Sequence, residues 1–290
     1  MTPARIPHGA LSYLSAFTTS PAGGNPAGVW IGDELPDAEA MQRIAREVGF
    51  SETAFLAPGA GTRRTVRYFS PEAEVPFCGH ATIAAGVQVG ALDGTGRYRF
   101  DTPAGEVIVD VDDRDGLPRA SLTSVEPRQL PPPPGLVDRT LDALGWTKSE
   151  LDPAIPPVLA FAGAWHLVLA AATRERLAAL DYDYDALKSL LLEAGCVTAQ
   201  LVWRERIDLF HARNPFPVGG VVEDPATGAA AAALGGYLRD ARLIDVPASI
   251  VIRQGETMGR PSRLEVAIPV TGGIVVSGHA VPIGAAREGR

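Results

Sequence analysis

Residues 37–48 carry apolar side chains at the three- and four-residue spacing of a helix that buries one face. Met41 and Val48 fall on that face, and the positions between them include charged side chains. Asp37 stands where a side chain can cap the first turn, and Gly49 stands where a helix commonly ends. The pattern predicts an amphipathic helix over 37–48.

Shorter apolar runs, some of them alternating with polar residues, predict strands along the whole chain. In 64–69, for example, Val66 and Tyr68 alternate with Thr65 and Arg67. Two further helices are expected at 173–180 and 185–193. Strands are expected at 11–17, 53–56, 64–69, 97–101 and 106–111, and then at 158–161, 165–170, 197–203, 207–212, 250–254, 264–270 and 274–277.

Two stretches, 81–92 and 228–240, are rich in alanine and glycine, and each follows a polar loop. In both halves of the chain the order is strand, strand, polar loop and then this helix. Small side chains allow strands to approach such a helix closely on several sides. The shared order suggests an internal repeat with a central helix in each copy, although alanine-rich stretches are common and the spacing alone does not prove a repeat.

The clearest boundary in the sequence is 126–135, which contains four consecutive prolines at 131–134. Proline lacks an N–H donor and has a fixed φ, so such a run neither continues a helix nor pairs within a sheet. The segment is interpreted as a stiff linker between a first domain, 1–125, and a second domain that begins at 136.

Composition narrows the class of protein. The chain has 290 residues, 46% of them hydrophobic and 21% charged, and a formal net charge of -8. The negative charge and the lack of a basic patch argue against a nucleic-acid partner. No apolar run reaches the roughly 20 residues of a membrane span, and the N-terminus shows no signal-peptide pattern, so a cytoplasmic protein with no membrane partner is expected.

The two cysteines, Cys78 and Cys196, are too few for a disulfide framework. No Cys/His cluster has the spacing of zinc ligands, and no glycine-rich phosphate loop or Schiff-base lysine motif stands out, so neither a metal nor a cofactor is expected. Cys196 lies in an apolar run and is interpreted as a small buried hydrophobe.

Three groups able to transfer protons stand at or just before the start of a predicted helix or strand. Cys78, with His80 two positions later, precedes the helix at 81–92, and Asp224 precedes the helix at 228–240. A helix N-terminus has unpaired N–H groups and a partial positive charge, which suit a carboxylate or enolate oxygen. The plainer interpretations are a buried structural thiol for Cys78 and a simple N-cap for Asp224.

The third group is Glu52, which begins an otherwise apolar strand. Burying a lone carboxylate is costly, so a glutamate at this place suggests a function. The plainer interpretation is an exposed carboxylate at the end of a strand.

Five short motifs, spread from residue 24 to residue 228, together resemble the phenazine-biosynthesis (PhzF-like) isomerase family and, more distantly, diaminopimelate epimerase. A later run, Gln-Gly-Glu-Thr-Met-Gly-Arg-Pro at 254–261, resembles the late loop of that family. The five motifs are Gly-Asn-Pro-Ala-Gly at 24–28, Ser-Glu-Thr at 51–53, Phe-Ser-Pro at 69–71, Cys-Gly-His-Ala-Thr at 78–82 and Glu-Asp-Pro-Ala-Thr-Gly at 223–228.

The resemblance implies an α+β fold of two pseudo-symmetric domains, each a curved, mostly antiparallel sheet wrapped around a central helix, as in diaminopimelate epimerase. It also implies that the last residues return to the first domain. The expected domains are therefore 1–125 plus 278–290, and 136–277, joined by the linker 126–135. Members of the family are commonly homodimers, so a homodimer is expected.

The resemblance further implies a cofactor-independent isomerase or epimerase that moves a proton on a carbon next to a carboxylate or imine of a small carboxylic acid, in the cleft between the domains. Cys78 matches one active cysteine of diaminopimelate epimerase, and Asp224 stands at the place of the second. The implied catalytic residues are Glu52, Cys78, His80 and Asp224, and the implied substrate-binding residues are Asn25, Gly79, Thr227, Gly228 and Ala229.

Two departures from the family pattern bear on the substrate. Ala229 stands where many relatives have serine, and 20–24 lacks the acidic residue common before the Gly-Asn-Pro motif. Two other functions stay open: a catalytically silent member that binds a metabolite or a partner, and a Cys/His hydrolase. The sequence also leaves open whether the reaction is an epimerisation or a hydrogen shift, and which polar group pairs with Glu52.

Overall fold

A computed structural model describes residues 8–114 and 116–284. The chain divides into two units, Met1–Thr123 with Ser277–Arg290, and Ser124–Val276. The described part of the chain's last segment is a strand up to Pro282, and residues 285–290 of the expected return lie outside the described residues.

The first unit is built mainly from strands, with two helices. Numbering along the chain, its elements are β1 (Gly9–Ala16), β2 (Asn25–Gly32), α1 (Ala38–Val48), β3 (Glu52–Pro58), β4 (Arg63–Phe69), β5 (Glu74–Val75), α2 (Gly79–Asp93), β6 (Gly96–Thr102), β7 (Gly105–Arg114), β8 (Leu117–Thr123) and β17 (Val275–Pro282).

Eight of these strands pair in a closed ring, in the order β1, β2, β3, β4, β6, β7, β8, β17 and back to β1. The pairs β2–β3 and β4–β6 are parallel, and α1 and α2 make the two crossovers between them. The sheet is therefore mixed, and the unit has more strand than the expected α+β layout.

Helix α2 lies inside this ring, in contact with β1, β2, β3, β7 and β8. Its small residues explain the position. A Cβ added to Gly86 would lie 2.7 Å from Val109 Cγ1 and 2.9 Å from the Ala120 Cβ, and one added to Gly90 would lie 2.4 Å from Val111 Cγ1. The glycines thus let β7 and β8 approach closer than any side chain would permit.

The outer helix α1 covers one side of the ring. The Asp37 side chain accepts a hydrogen bond from Ala40 N at 2.7 Å, and Gly49 ends the helix in the left-handed conformation with a φ of 70°. Met41 and Ala45 are buried in a cluster with aromatic side chains of the sheet. The helix predicted at 37–48 is confirmed.

The second unit contains the remaining elements. These are β9 (Arg128–Leu130), α3 (Leu136–Leu144), β10 (Val158–Phe161), β11 (Trp165–Ala170), α4 (Arg174–Ala178), α5 (Tyr184–Glu193), β12 (Thr198–Arg206), β13 (Leu209–Pro215), β14 (Glu223–Asp224), α6 (Gly228–Asp240), β15 (Ala248–Gln254) and β16 (Ser262–Ile268), with short 3-10 turns at Lys148–Glu150, Pro217–Gly219 and Glu256–Met258.

The second unit repeats the pairing pattern of the first. The series β1–β2 antiparallel, β2–β3 parallel, β3–β4 antiparallel, β4–β6 parallel and β6–β7 antiparallel recurs in β10–β11, β11–β12, β12–β13, β13–β15 and β15–β16. The two-residue strands β5 and β14 occupy equivalent places just before α2 and α6. The shared topology agrees with an internal repeat.

The region around the proline run differs from the expected linker. Arg128–Leu130 form β9, which pairs with β10, so part of 126–135 belongs to the sheet of the second unit. The four prolines themselves follow this strand, where no further ladder hydrogen bonds are required of them. Strand β8 and helix α3 were also not expected from the sequence.

Across residues 8–114 and 116–284, none of the helices combines the length and the apolar character that crossing a bilayer requires.

Candidate active site

The start of helix α2 places two chemically active side chains close together. Cys78 holds the N-cap position with extended backbone, φ -145° and ψ 117°, and His80 lies in the first turn. The Cys78 Sγ lies 3.4 Å from His80 Nδ1. Both residues are buried, at 8% and 7% exposure, so the sulfur faces the imidazole rather than solvent.

Strand β3 supplies the third member of this group. Glu52 is its first residue, and the parallel register pairs it with Ala27 of β2. Glu52 Oε2 lies 3.4 Å from His80 Nε2, and Ser51 Oγ lies at the same distance from that nitrogen. The Glu52 side chain is 19% exposed, so it is largely but not fully removed from solvent.

The two ring nitrogens of His80 differ in their nearest partner, although the Cys78 sulfur also lies 3.9 Å from Nε2. Nδ1 faces a thiol, which can give or take a proton, and Nε2 faces a carboxylate. A neutral imidazole donates from one nitrogen and accepts at the other, so this arrangement allows a proton to pass between the sulfur and the carboxylate by way of the ring. The 3.4 Å between Glu52 Oε2 and His80 Nε2 is longer than the roughly 2.7–3.2 Å of a strong N–H···O bond. The 3.4 Å between Cys78 Sγ and His80 Nδ1 is an ordinary hydrogen-bond distance, because sulfur is larger than oxygen.

A buried tyrosine supports the Cys78 backbone. Tyr68 Oη and Thr82 Oγ1 are 2.7 Å apart, and the Thr82 hydroxyl donates to the Cys78 carbonyl oxygen at 2.7 Å. Burial raises the pKa of Tyr68 well above its ordinary value, which keeps the phenol protonated. The pair fixes the turn in which Cys78 leads into α2.

Asn25 and Gly79 border this cluster. Asn25 is the first residue of β2, is 2% exposed, and lies at the same end of the parallel β2–β3 pair as Glu52. Gly79 is the first residue of α2, between Cys78 and His80. Its N–H belongs to the first turn, where helix N–H groups have no partner within the helix.

The second unit has an equivalent arrangement at the start of α6. Thr227 holds the N-cap position, and its hydroxyl donates to Asp224 Oδ2 at 2.5 Å rather than capping the helix. Gly228 is buried as the first helical residue, and Ala229 is half-buried beside it. Ala229 has no hydroxyl to offer, so the polar groups at this turn are the backbone N–H groups and the Asp224–Thr227 pair.

Gln254 holds this turn from the end of β15. Its Nε2 donates to the Asp224 carbonyl oxygen at 2.7 Å and to Thr227 Oγ1 at 3.0 Å, while its Oε1 accepts from Thr227 N at 3.3 Å. The side chain is 1% exposed. A Cβ on the next residue, Gly255, would lie 2.8 Å from the Pro225 carbonyl oxygen, which explains why glycine follows it.

Sequence reasoning thus named both groups of residues but missed their supports. The structure places Glu52, Cys78 and His80 together in the first unit, and Asp224, Thr227, Gly228 and Ala229 together in the second. Ser51 and Gln254 both stand in motifs that carried the family resemblance, which is the signal that could have identified them. Thr82 likewise closes the motif at 78–82, whereas Tyr68 stands outside every quoted motif and gave no such signal.

Comparison with known proteins gives a family. The sequence profile described as "Phenazine biosynthesis-like protein" matches residues 14–286. The chain is 31% identical over 268 residues to the uncharacterised isomerase YfhB of Bacillus subtilis, with 90% of each chain covered. It is 32% identical over 253 residues to the trans-2,3-dihydro-3-hydroxyanthranilate isomerase of Pseudomonas fluorescens, with 86% of each covered.

The fold also matches a solved structure. The phenazine biosynthesis protein of the PhzF family from Bacillus anthracis superposes with a TM-score of 0.84 at 23% identity, covering 94% of this chain and 96% of that one. At this identity the likeness concerns the fold alone. The profile match over almost the whole length, with relatives above 30% identity, shows that this chain belongs to the family of phenazine biosynthesis-like proteins.

Proposed function

We propose that this protein is an isomerase that moves a proton on a carbon adjacent to a carboxylate or imine of a small acid, with no cofactor. The observation that carries the proposal is the group formed by Glu52, Cys78 and His80 at the start of α2. It combines a carboxylate, an imidazole and a thiol within reach of one another, beside N–H groups that can receive an anion. Relatives above 30% identity are named isomerases.

In this proposal Glu52 removes the proton. Removing a proton beside a carboxylate builds negative charge on oxygen, and the first-turn N–H groups of α2 stabilise that charge because they are fixed in place before the reaction. His80 orients the Glu52 carboxylate through Nε2 and exchanges a proton with Cys78 through Nδ1. Either Cys78 or Asp224 then serves as the opposing acid.

The group at the start of α6 is proposed to complete the site. Asp224 would supply a second proton-transfer group, and the first turn of α6 would bind a second oxygen of the substrate. This assignment rests on the family resemblance, which implies a site formed by residues of both domains. Gln254 supports it, since a buried amide with three hydrogen bonds to one turn fixes that turn precisely.

The substrate is proposed to be a small carboxylic acid. The relative from Pseudomonas fluorescens is named for trans-2,3-dihydro-3-hydroxyanthranilate, and that compound is the first to test. Ala229 removes a hydroxyl that serine would supply at this place, so acids lacking one hydrogen-bonding group at that end are tested beside it.

The proposal is tested by incubating the protein in deuterated water with this compound and with a panel of amino, hydroxy and unsaturated carboxylic acids. Product formation with uptake of deuterium at the carbon next to the acid group, followed by NMR and mass spectrometry, is the expected result. Binding of a panel acid without any exchange of carbon-bound hydrogen would indicate a binding protein. The same acids are also tested as their alkyl esters, and release of the alcohol from an ester would indicate a Cys/His hydrolase. Either result overturns the proposal.

A further inference from the structure

The sequence spacing gave no metal site, yet the fold places three metal-ligating side chains at one point. The ligand atoms of Glu52, Cys78 and His80 all lie within 4.8 Å of one another. They come from two elements, the first residue of β3 and the first turn of α2. The site could not be predicted from ligand spacing, because Glu52 is far from Cys78 and His80 in the sequence although close to them in the fold.

The distances between the three ligand atoms are close to those that a tetrahedral zinc ion requires. Zinc lies about 2.3 Å from a thiolate sulfur and about 2.0–2.2 Å from nitrogen and carboxylate oxygen. Two tetrahedral ligands at these lengths are therefore roughly 3.3–3.6 Å apart. His80 Nε2 lies 3.4 Å from Glu52 Oε2 and 3.9 Å from Cys78 Sγ, and the sulfur and the carboxylate oxygen lie within 4.8 Å of each other. A closure of up to roughly 1 Å, which side-chain rotation can supply, would bring the three atoms onto one ion.

The surroundings also favour a soft divalent cation. Cys78 and His80 are buried, and the Glu52 side chain is partly exposed. A thiolate together with an imidazole selects zinc and similar ions over magnesium or calcium, which prefer oxygen ligands. Three protein ligands leave a fourth position for water.

We infer that Glu52, Cys78 and His80 form a binding site for Zn²⁺, and that zinc bound there inhibits the enzyme. Binding replaces the thiol proton of Cys78 with the metal and releases that proton to solvent. The ion then occupies the lone pairs of Glu52 and His80 with which a proton would be taken up. Inhibition rests on the proposed function, whereas binding of the metal does not.

The experiment uses Co²⁺ as an optical substitute for Zn²⁺ in the full-length protein. We expect a thiolate-to-cobalt charge-transfer absorption and the visible bands of four-coordinate cobalt, both abolished by an equivalent of Zn²⁺. Cys78→Ser should lose the charge-transfer absorption. Cys196→Ser is the matched control and should keep it, because Cys196 is a buried free cysteine of the other unit. Absence of the absorption in wild type, or its persistence in Cys78→Ser, would overturn the assignment.

A second measurement avoids dependence on the variants' folding. In wild-type protein, Zn²⁺ should slow alkylation of Cys78, measured by mass spectrometry of its peptide, and should leave the alkylation rate of Cys196 unchanged. Equal protection of both cysteines would overturn the site.

A third measurement compares metal affinity. Competition against a chromophoric chelator should show that Glu52→Gln binds Zn²⁺ about 10-fold or more weakly than wild type does. Because none of these readouts uses turnover, a failure of the proposed isomerase activity would be seen separately.

Discussion

Glu52 and His80 meet across two elements, with Glu52 Oε2 lying 3.4 Å from His80 Nε2. Glu52 begins a parallel strand of the ring, and His80 lies in the first turn of the helix that the ring encloses. Their separation therefore depends on where α2 lies within the ring. Gly86 and Gly90 let this helix approach β7 and β8 closely.

Gly86→Ala should destabilise the protein although alanine favours helix more than glycine does. The added Cβ would lie 2.7 Å from Val109 Cγ1 and 2.9 Å from the Ala120 Cβ, and overpacking of a core costs about 1–3 kcal/mol. The measurement is the free energy of unfolding in denaturant. In a Val109→Ala background the same change should cost less, and an equal cost in both backgrounds would contradict the steric explanation.

Gln254→Leu should lower both stability and turnover. It removes three hydrogen bonds to the turn that carries Asp224 and Thr227, each of which contributes about 0.5–1.5 kcal/mol net. Because the amide fixes the turn and makes no proposed contact with substrate, kcat should fall more than KM changes. The control is Arg253→Leu, at the exposed neighbour on the same strand. Variants that are indistinguishable in kcat would show that Gln254 does not position Asp224.

His166 should make the second unit less stable in acid. The side chain is fully buried, its Nδ1 lies 2.8 Å from Thr198 Oγ1, and within the described residues Nε2 has no hydrogen-bond partner. Burial lowers the pKa of His166 to about 3. Between about pH 6.5 and about pH 3, His166 binds a proton in the unfolded chain but not in the folded chain, so the free energy of unfolding falls as pH falls. Above about pH 6.5, His166 is neutral in both states and does not make the free energy of unfolding depend on pH.

The test compares wild type with His166→Gln at pH 7 and pH 5. A single histidine of this kind contributes up to about 1.4 kcal/mol per pH unit, so wild type should lose about 2 kcal/mol more than the variant over this interval. The comparison cancels the carboxylates, which titrate in both proteins. An identical loss in the two proteins would mean that His166 is protonated in the folded state.

The sequence predicted the elements whose patterns are local. The amphipathic face of 37–48 and the alanine-rich run that became Gly228–Asp240 were both found within a residue. Strand β2 was missed because Pro26, Gly28 and Gly32 obscure its apolar pattern, and it holds its place through pairing on both edges. Such pairing is a tertiary property that no window of sequence contains.

In the candidate site, too, local contacts could be predicted from the sequence and contacts between distant segments could not. Cys78 and His80 are two positions apart, so their proximity follows from sequence. Glu52 could be joined to them only through the family resemblance, and Gln254 contacts a turn 30 positions earlier in the chain. When a supporting side chain is far in the sequence from the group it contacts, no fixed spacing between the two residues predicts the contact.

The most direct test of the account compares wild type, Glu52→Gln and Glu47→Gln in deuterated water, with the acid that the wild-type protein converts. Glu47 is exposed on α1 in the same unit, so its variant controls for loss of one carboxylate. The account predicts that Glu52→Gln lowers both turnover and deuterium uptake by roughly 10²-fold or more, with an unchanged unfolding transition, while Glu47→Gln matches wild type. Turnover by Glu52→Gln at the wild-type rate would contradict the assignment of Glu52 as the group that moves the proton.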